Sequence, residues 1–544
     1  MPITDILAKN AELYGNTVCL TEINPGVEEN RGMSWKELAL VETARDCQYR
    51  KELTWRAFDE RANQFANLLI DRGVERGDKV GILLMNCIEW LPLYFGVLKS
   101  GAIVVPLNFR YSSDEIKYAL DLADVSLLVF GSEFTVRMKA IKDDLPKVRT
   151  LFFVGGSCPD FAEGYEGLAG SCPRHAPDVP ITDDDNAAIY FSSGTTGHPK
   201  AILHWHLTLV TACEVEQNHH GQSHDDVFLC IPPLYHTGAK MHWFGSLLAG
   251  GSAVLLRGAK PKWIIETAAS EKASIVWLLV PWAQDILDAI ESGEINLADY
   301  DLGAWRLMHI GAQPVPPSLI RRWKKHFPHH AYDTNYGLSE SSGPGAVHLG
   351  VDNIHKVGAI GKAGHTWITR IVDESGADVR RGDVGELILS GVSVMKCYYR
   401  DPEATAITIK DGWLYTGDMA TEDGDGFIFL VDRKKDVIIT GGENIYPVQI
   451  EDFLRCHDKI KDAAVIGLMD NRLGEISAAI VEIKTGMECT GDEIIKFCGQ
   501  LPRYKRPHRI IFADVPRNAT GKIEKPKLRE RYGGGGVVRR QSES

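Results

Sequence analysis

Lys79-Val80-Gly81-Ile82-Leu83-Leu84, then Trp90–Ser100 (WLPLYFGVLKS), then Ala102-Ile103-Val104-Val105-Pro106 is the stretch that decides the architecture. The first and last runs are short and apolar and predict strands, and the segment between them predicts a helix. Upstream, apolar Phe58, Ala62, Phe65, Leu68 and Leu69 recur at three- and four-residue steps. That period predicts an amphipathic helix over Trp55–Arg72. Downstream, Ser113–Ala123 reads as a helix and Ser126–Val129 as a strand. Strands alternating with helices predict an α/β fold of layered subdomains with largely parallel sheets. The first fifty residues are less regular. Ser34–Leu38 and Thr54–Phe58 each look like a strand-to-helix start, so an insertion is expected near residues 25–51.

The chain has 544 residues, more than one domain at about 100–200 residues each. Its 44% apolar and 24% charged residues exclude disorder as the main state. Lys and Arg number 60 against 73 Asp and Glu, a net charge of −13. That balance argues against a general nucleic-acid binder, because phosphate contacts need a basic excess. Asn86, Glu89 and Lys99 interrupt the greasiest stretch, so no membrane-spanning segment is expected. The start MPITDILAKN lacks a basic region followed by an apolar core, and the end RRQSES is no retention tripeptide. A cytoplasmic location is therefore expected. The 11 cysteines form no CxxC pair and read as reduced thiols. Histidines cluster at His219, His220 and His224, and again at His326, His329 and His330. Neither group has a cysteine partner or HExxH spacing, so both are expected at the surface or in loops, without a structural metal.

The strongest chemical signal is Tyr190-Phe191-Ser192-Ser193-Gly194-Thr195-Thr196-Gly197-His198-Pro199-Lys200. A short apolar strand leads into small hydroxyl residues and glycines, and one lysine closes the loop. Glycines let backbone N–H groups approach an anion, hydroxyls add donors, and lysine adds a mobile positive charge. This is the composition of a phosphate cradle. It is not a Walker A loop, because Pro199 rather than glycine precedes Lys200.

This loop resembles that of the adenylate-forming (AMP-binding) superfamily, and further family motifs come in order from about Leu53 to Glu530. They are Pro232–Gly238 (PPLYHTG), Gly311–Pro314 (GAQP), Asp333–Glu340 (DTNYGLSE), Tyr415–Asp418 (YTGD), Asp432–Asp436 (DRKKD), Gly441–Pro447 (GGENIYP) and Pro516–Ile523 (PRNATGKI). The chain is similar above all to the acyl-CoA synthetase branch. The resemblance implies an AMP-forming acid:CoA ligase using ATP, Mg²⁺ and coenzyme A on a small carboxylic acid, as a monomer or homodimer. It implies a large N-terminal domain over 1–432, a hinge at 433–435 centred on Lys435, a small mobile α+β domain over 436–532 and a flexible tail over 533–544. Ser192, Ser193, Gly194, Thr195, Thr196, Gly197 and Lys200 would hold phosphates. Gly311, Ala312, Gln313, Asn335, Tyr336, Gly337 and Ser339 would line the nucleotide site, with Asp418 and Arg433 on the ribose. Glu340 would hold the metal, Lys522 would be the adenylation lysine, and Gly441 and Gly442 would face the thioester-forming state. His236, Gly238, Lys240 and Gly311 would border the acyl pocket.

Lys240 is unusual where relatives often carry an apolar residue. It is expected to point to solvent, with entry into the pocket as the alternative. Arg503–Arg506 (RYKR) is a basic patch suited to the nucleotide phosphates of CoA, or simply solvated charge. Other readings are a carrier-loading module, a luciferase-like enzyme and a non-catalytic nucleotide-binding relative. The first expects an aspartate near Tyr235–His236 and a carrier domain. Neither is found here, and little sequence comes after Lys522.

Overall fold

The computed structural model describes residues 1–27, 34–35, 38–39, 48–192, 199–311, 315–348, 353–441, 443–517 and 523–533. The chain divides into two compact units. One holds the described residues of Met1–Gly194, Pro199–Thr369 and Leu389–Tyr415, and the other those of Arg370–Ile388 and Thr416–Ser544. The division falls ahead of the 433–435 hinge read from the sequence. The reason is local: strand Ile428–Arg433 pairs antiparallel with Asp418–Glu422, and this hairpin groups with the C-terminal residues.

The first unit is built on two large sheets. In one, Lys79–Leu83 lies between Ile103–Pro106 and Val125–Gly131, all parallel, and Asn186–Phe191 continues beyond Ile103–Pro106. In the other, Val227–Cys230, Ser252–Leu256, Ile275–Leu279, Leu307–Gly311 and Ala331–Asp333 run parallel. The expected helices form at Trp55–Asp71, Trp90–Lys99 and Ser113–Leu122. Thr54 caps the first by accepting the Ala57 N–H at 3.2 Å, and Ser112 with Glu115 makes a capping box at the last. Helices Trp55–Asp71, Trp90–Lys99, His206–His220 and Thr237–Ala249 share one core with the facing sides of both sheets, through Phe58, Phe95, Val104, Leu209, Trp243 and Ala253. More helices cover the outer faces, giving the layered α/β architecture expected.

Near the N-terminus, Val18–Ile23 pairs antiparallel with Arg50–Thr54, so the chain leaves the sheet at Ile23 and rejoins it at Arg50. Between them Ser34–Trp35 pairs with Leu38–Ala39, and the Thr54 start leads into a helix. In the second unit, Ile460–Asp470 and Gly474–Ile483 form a long hairpin. Arg509–Phe512 joins it in parallel, and helices Pro447–Arg455, Gly491–Cys498 and Lys525–Gly533 belong to the same unit. Among the described residues the cysteines are free, and no helix is long and apolar enough to cross a membrane.

Candidate active site

The phosphate-loop segment is gripped at its neck. Phe191 sits opposite Ala201 in an antiparallel pair. The Ser192 N–H donates to the Lys200 carbonyl at 3.0 Å, and the Lys200 N–H donates to Ser192 Oγ at 3.0 Å. Ser193, Gly194, Thr195, Thr196 and Gly197, with Ala312, Gln313, Gly442 and Lys522, lie outside the described residues. Lys200 Nζ stands 4.5 Å from the centre of the Tyr398 ring, and the Tyr398 hydroxyl donates to Glu340 Oε1 at 2.8 Å. The Met395 N–H donates to the Glu340 carbonyl at 2.7 Å. Lys200 and Glu340, far apart in sequence, are thereby gathered around one tyrosine.

Ser339 joins this group to the acyl side. Its hydroxyl is 3.3 Å from that of Thr237, and its carbonyl accepts His204 Nε2–H at 2.8 Å. Burial pushes the His204 pKa down to about 4, so the ring is neutral at pH 7 with its proton on Nε2. Next to Thr237, His236 caps helix Thr237–Ala249, its Nδ1 accepting the Gly238 N–H at 3.2 Å. Asn86 fixes the approach to that cap by donating to the Pro232 carbonyl (2.9 Å) and accepting the Leu234 N–H (2.8 Å). A Cβ on Gly238 would lie 3.0 Å from the Trp277 indole, and one on Gly311 would lie 3.8 Å from Trp277 Nε1. One indole therefore spans both glycines named for the acyl pocket. Tyr336 is buried, opposite Ala346 in the pairing of Asn335–Gly337 with Pro344–Val347. A Cβ on Gly337 would meet the Gly343 carbonyl at 2.5 Å, so only glycine fits there.

Lys240 does not reach solvent. It is 0% exposed, with Nζ 4.0 Å from the centre of the Tyr190 ring and the Tyr94 and Trp90 rings at 5.8 and 6.0 Å. One turn beyond His236, the side chain lands on the core face of its helix. Among the described residues Nζ has no hydrogen-bond partner, and burial pushes the amine well below its usual range. The cation–π attraction, about 2 kcal/mol when desolvated, is smaller than the cost of burying an unpaired charge. Lys240→Met is therefore expected to raise stability by about 1–2 kcal/mol, the scale of one unsatisfied buried polar group. Urea unfolding checks this, and a lower midpoint would contradict it. Part of each histidine cluster also departs from expectation, while His224 and His329 are exposed as expected. His220 and His330 are buried, and the His219 side chain is 1% exposed, because their partners come from distant strands and aromatic rings.

In the second unit, Asp418 and Arg433 are directly paired across their hairpin, with Arg433 Nε 3.3 Å from Asp418 Oδ1. Lys434 bonds Glu386 at 2.9 Å, while Lys435 is exposed on the single helical turn Lys434–Asp436. Asp436 pairs with Arg529 at 2.6 Å. Gly441 is left-handed at φ 57° and donates to the Leu473 carbonyl at 2.8 Å. Arg517 pairs with Ile523 in an isolated bridge that closes the neck of the Lys522 loop, and its Nε and Nη2 reach the two Asp462 oxygens at 2.7 and 3.0 Å. In the basic patch, Arg506 donates to the Leu501 and Gly499 carbonyls and Lys505 to Gln449, which leaves Arg503 and Tyr504 at its outer edge.

A family model for the AMP-binding enzyme matches residues 34–399, and one for the AMP-binding enzyme C-terminal domain matches residues 449–522. The chain belongs to the AMP-binding enzyme family. It is 30% identical to the long-chain-fatty-acid–CoA ligase FadD13 of Mycobacterium tuberculosis, over 91% of this chain and 95% of the relative. It is 33% identical to feruloyl-CoA synthase of an Amycolatopsis species, over 88% and 94%. Its structure matches ATP-bound MatB from Rhodopseudomonas palustris with a TM-score of 0.85 at 26% identity, covering 98% and 99% of the two chains. The activity this membership carries is AMP-forming acid:CoA ligation with ATP and CoA. For an AMP-binding enzyme, the residues that sequence reading passed over are Trp277, His204 and Tyr398. Each sits on a strand outside the quoted motifs, and nothing in its local sequence sets it apart.

Proposed function

We propose that this AMP-binding enzyme activates a carboxylic acid with a flat, apolar body, an aryl or arylalkanoic acid, and passes it to CoA. The observation that carries this reading is Trp277, whose indole lies against both Gly238 and Gly311. An aromatic wall pairs with a planar ring in offset or edge-to-face contact, which a mobile chain does not match. Feruloyl-CoA synthase among the relatives agrees with it, and FadD13 keeps a long-chain acid as the second reading. A panel of aryl and fatty acids, read out by pyrophosphate release, tests the choice. Aryl acids are expected to lead in kcat/KM, and a preference for long saturated chains would reverse the assignment.

Adenylation sets a carboxylate against a triphosphate, and the two anions repel. Catalysis is then positioning and charge neutralisation. Lys200 and the loop it closes would hold the outer phosphates, with the Tyr398 ring steering the ammonium. Glu340 fits a hard cation: it is a half-buried carboxylate held at one oxygen by Tyr398, without an ion-pair partner among the described residues. Mg²⁺ held there would supply charge neutralisation for the departing pyrophosphate. Asp418 would accept the ribose hydroxyls, with its lone pairs oriented by Arg433. Lys522 would bridge the substrate carboxylate and the α-phosphate. The acid needs no base, being ionised at pH 7. One carboxylate oxygen bonds to the α-phosphorus and pyrophosphate leaves. The CoA sulfur then bonds to the acyl carbon, the thiol proton is lost, and AMP leaves.

Two half-reactions at one site call for a domain swing, and Lys435 is the proposed pivot. Lys435→Pro fixes φ and removes a donor. It is expected to leave acid-dependent ATP–pyrophosphate exchange within about threefold while the overall thioester rate falls about tenfold or more, the scale of a blocked gating step. An exchange rate that fell as far as the overall rate would remove Lys435 from the hinge.

A further inference from the structure

A buried polar cluster lies where helix His206–His220 ends against two strands. Glu216, His219 and His220 stand at i, i+3 and i+4, on one face of its last turn. Facing them, His309 and Asp333 are register partners on the parallel strands Leu307–Gly311 and Ala331–Asp333. Asp333 Oδ2 is 2.7 Å from His219 Nε2, 3.4 Å from His220 Nε2 and 3.5 Å from His309 Nδ1. His220 Nε2 and His309 Nδ1 are 3.0 Å apart. All four side chains are at most 4% exposed.

Donor atoms of His220, His309 and Asp333, from three elements, thus lie within 4.8 Å of one another, and His219 Nε2 adds a fourth donor beside Asp333. A tetrahedral ion with bonds of about 2.0–2.2 Å holds its ligand atoms about 3.3–3.6 Å apart, the separation of Asp333 from His220 and from His309; the His219–Asp333 and His220–His309 contacts are shorter and would open on binding. His219 adds an independent sign. Among the described residues neither of its ring nitrogens makes an aligned hydrogen bond, although Nε2 is ion-paired with the carboxylate at 2.7 Å. Ligands of one ion point at the ion rather than at each other, and contacts that are close but misaligned result. The surroundings are those of a metal-ligating imidazole: His220 Nδ1 faces Glu216 Oε2 at 3.4 Å, and Asn335 Nδ2 donates to Glu216 Oε1 at 3.4 Å.

We propose that His219, His220, His309 and Asp333 bind one divalent transition-metal ion, zinc by donor set, as a closed structural site. Three imidazoles and one carboxylate in a solvent-free pocket fill four positions and leave none for a substrate. The ion would pin helix His206–His220 to the strands that lead into Gly311 and Asn335–Gly337. It is distinct from the magnesium assigned to Glu340, and it stands whether or not the acid is aromatic.

The test is elemental analysis of the full-length protein produced in zinc-supplemented medium and dialysed. About one zinc per chain is expected, as for a closed four-ligand site. Co²⁺ introduced in its place should give the intense visible bands of a tetrahedral centre, and a strong chelator should lower the melting temperature. His309→Gln and Asp333→Asn should each drop the metal content below about a tenth of an ion per chain, since a closed site rarely survives loss of one ligand. Should those variants not fold, the metal content and cobalt spectrum of the unaltered protein decide alone. Metal-free protein that takes up neither Zn²⁺ nor Co²⁺ after refolding with them would overturn the site and leave a hydrogen-bonded cluster of three histidines around Asp333.

Discussion

Lys522→Ala is expected to slow acyl-adenylate formation by about 10²–10³-fold, the cost of removing one preorganised charge from a transition state. In the proposed role, Lys522 would stand where negative charge gathers between the carboxylate and the α-phosphate. The second half-reaction needs no cation there, because the mixed anhydride has already formed and pyrophosphate has gone. Thioester formation from supplied acyl-AMP is therefore expected to stay within about threefold of the parent, as for a group that acts in one transition state only. Parallel assays, ATP–pyrophosphate exchange and acyl-AMP consumption by CoA, separate the two. Equal losses in both would mean that Lys522 is not swung in and out of the site.

Glu340→Gln carries the second large effect. Gln keeps the shape and can still accept from Tyr398, so the Tyr398–Glu340 contact at 2.8 Å has a neutral substitute. The negative charge alone is lost. Adenylation is expected to fall about 10²-fold or more, because a carboxylate ligand is central to placing a hard cation on the triphosphate. The Mg²⁺ concentration for half-maximal exchange should rise at the same time. A variant with parent-like Mg²⁺ dependence would release Glu340 from the metal and leave it as a structural partner of Tyr398. Tyr398→Phe separates the roles further, since it frees Glu340 Oε1 without changing its charge.

Much of the first unit was legible because local pattern and tertiary environment agree. The Phe58–Leu69 periodicity gives the helix Trp55–Asp71, and the runs at Lys79 and Ile103 become adjacent parallel strands. The motif residues stood out for another reason, since small residues and one lysine in a row are the composition of a phosphate cradle, and of that loop the structure describes the neck at Ser192 and Lys200. Lys240 was misread because a charge at helical spacing does not reveal which face meets solvent, and here the Tyr190, Tyr94 and Trp90 rings enclose it. His219 and His220 were misread because a cluster within one helix turn looks like surface until His309 and Asp333 arrive from strands about a hundred residues later. Trp277 and Tyr398 were invisible for the same reason. Their meaning lies in Gly238, Gly311, Lys200 and Glu340, which only the fold brings to them.

In the proposed reaction order, ATP is split to AMP and pyrophosphate on the acid before CoA enters. The most direct measurement is chromatography of the nucleotide products with acid and ATP, with and without CoA. Acid-dependent ATP–pyrophosphate exchange is expected in the absence of CoA. On adding CoA, AMP is expected one for one with thioester. ADP and phosphate as products, or no exchange until CoA is present, would contradict that order.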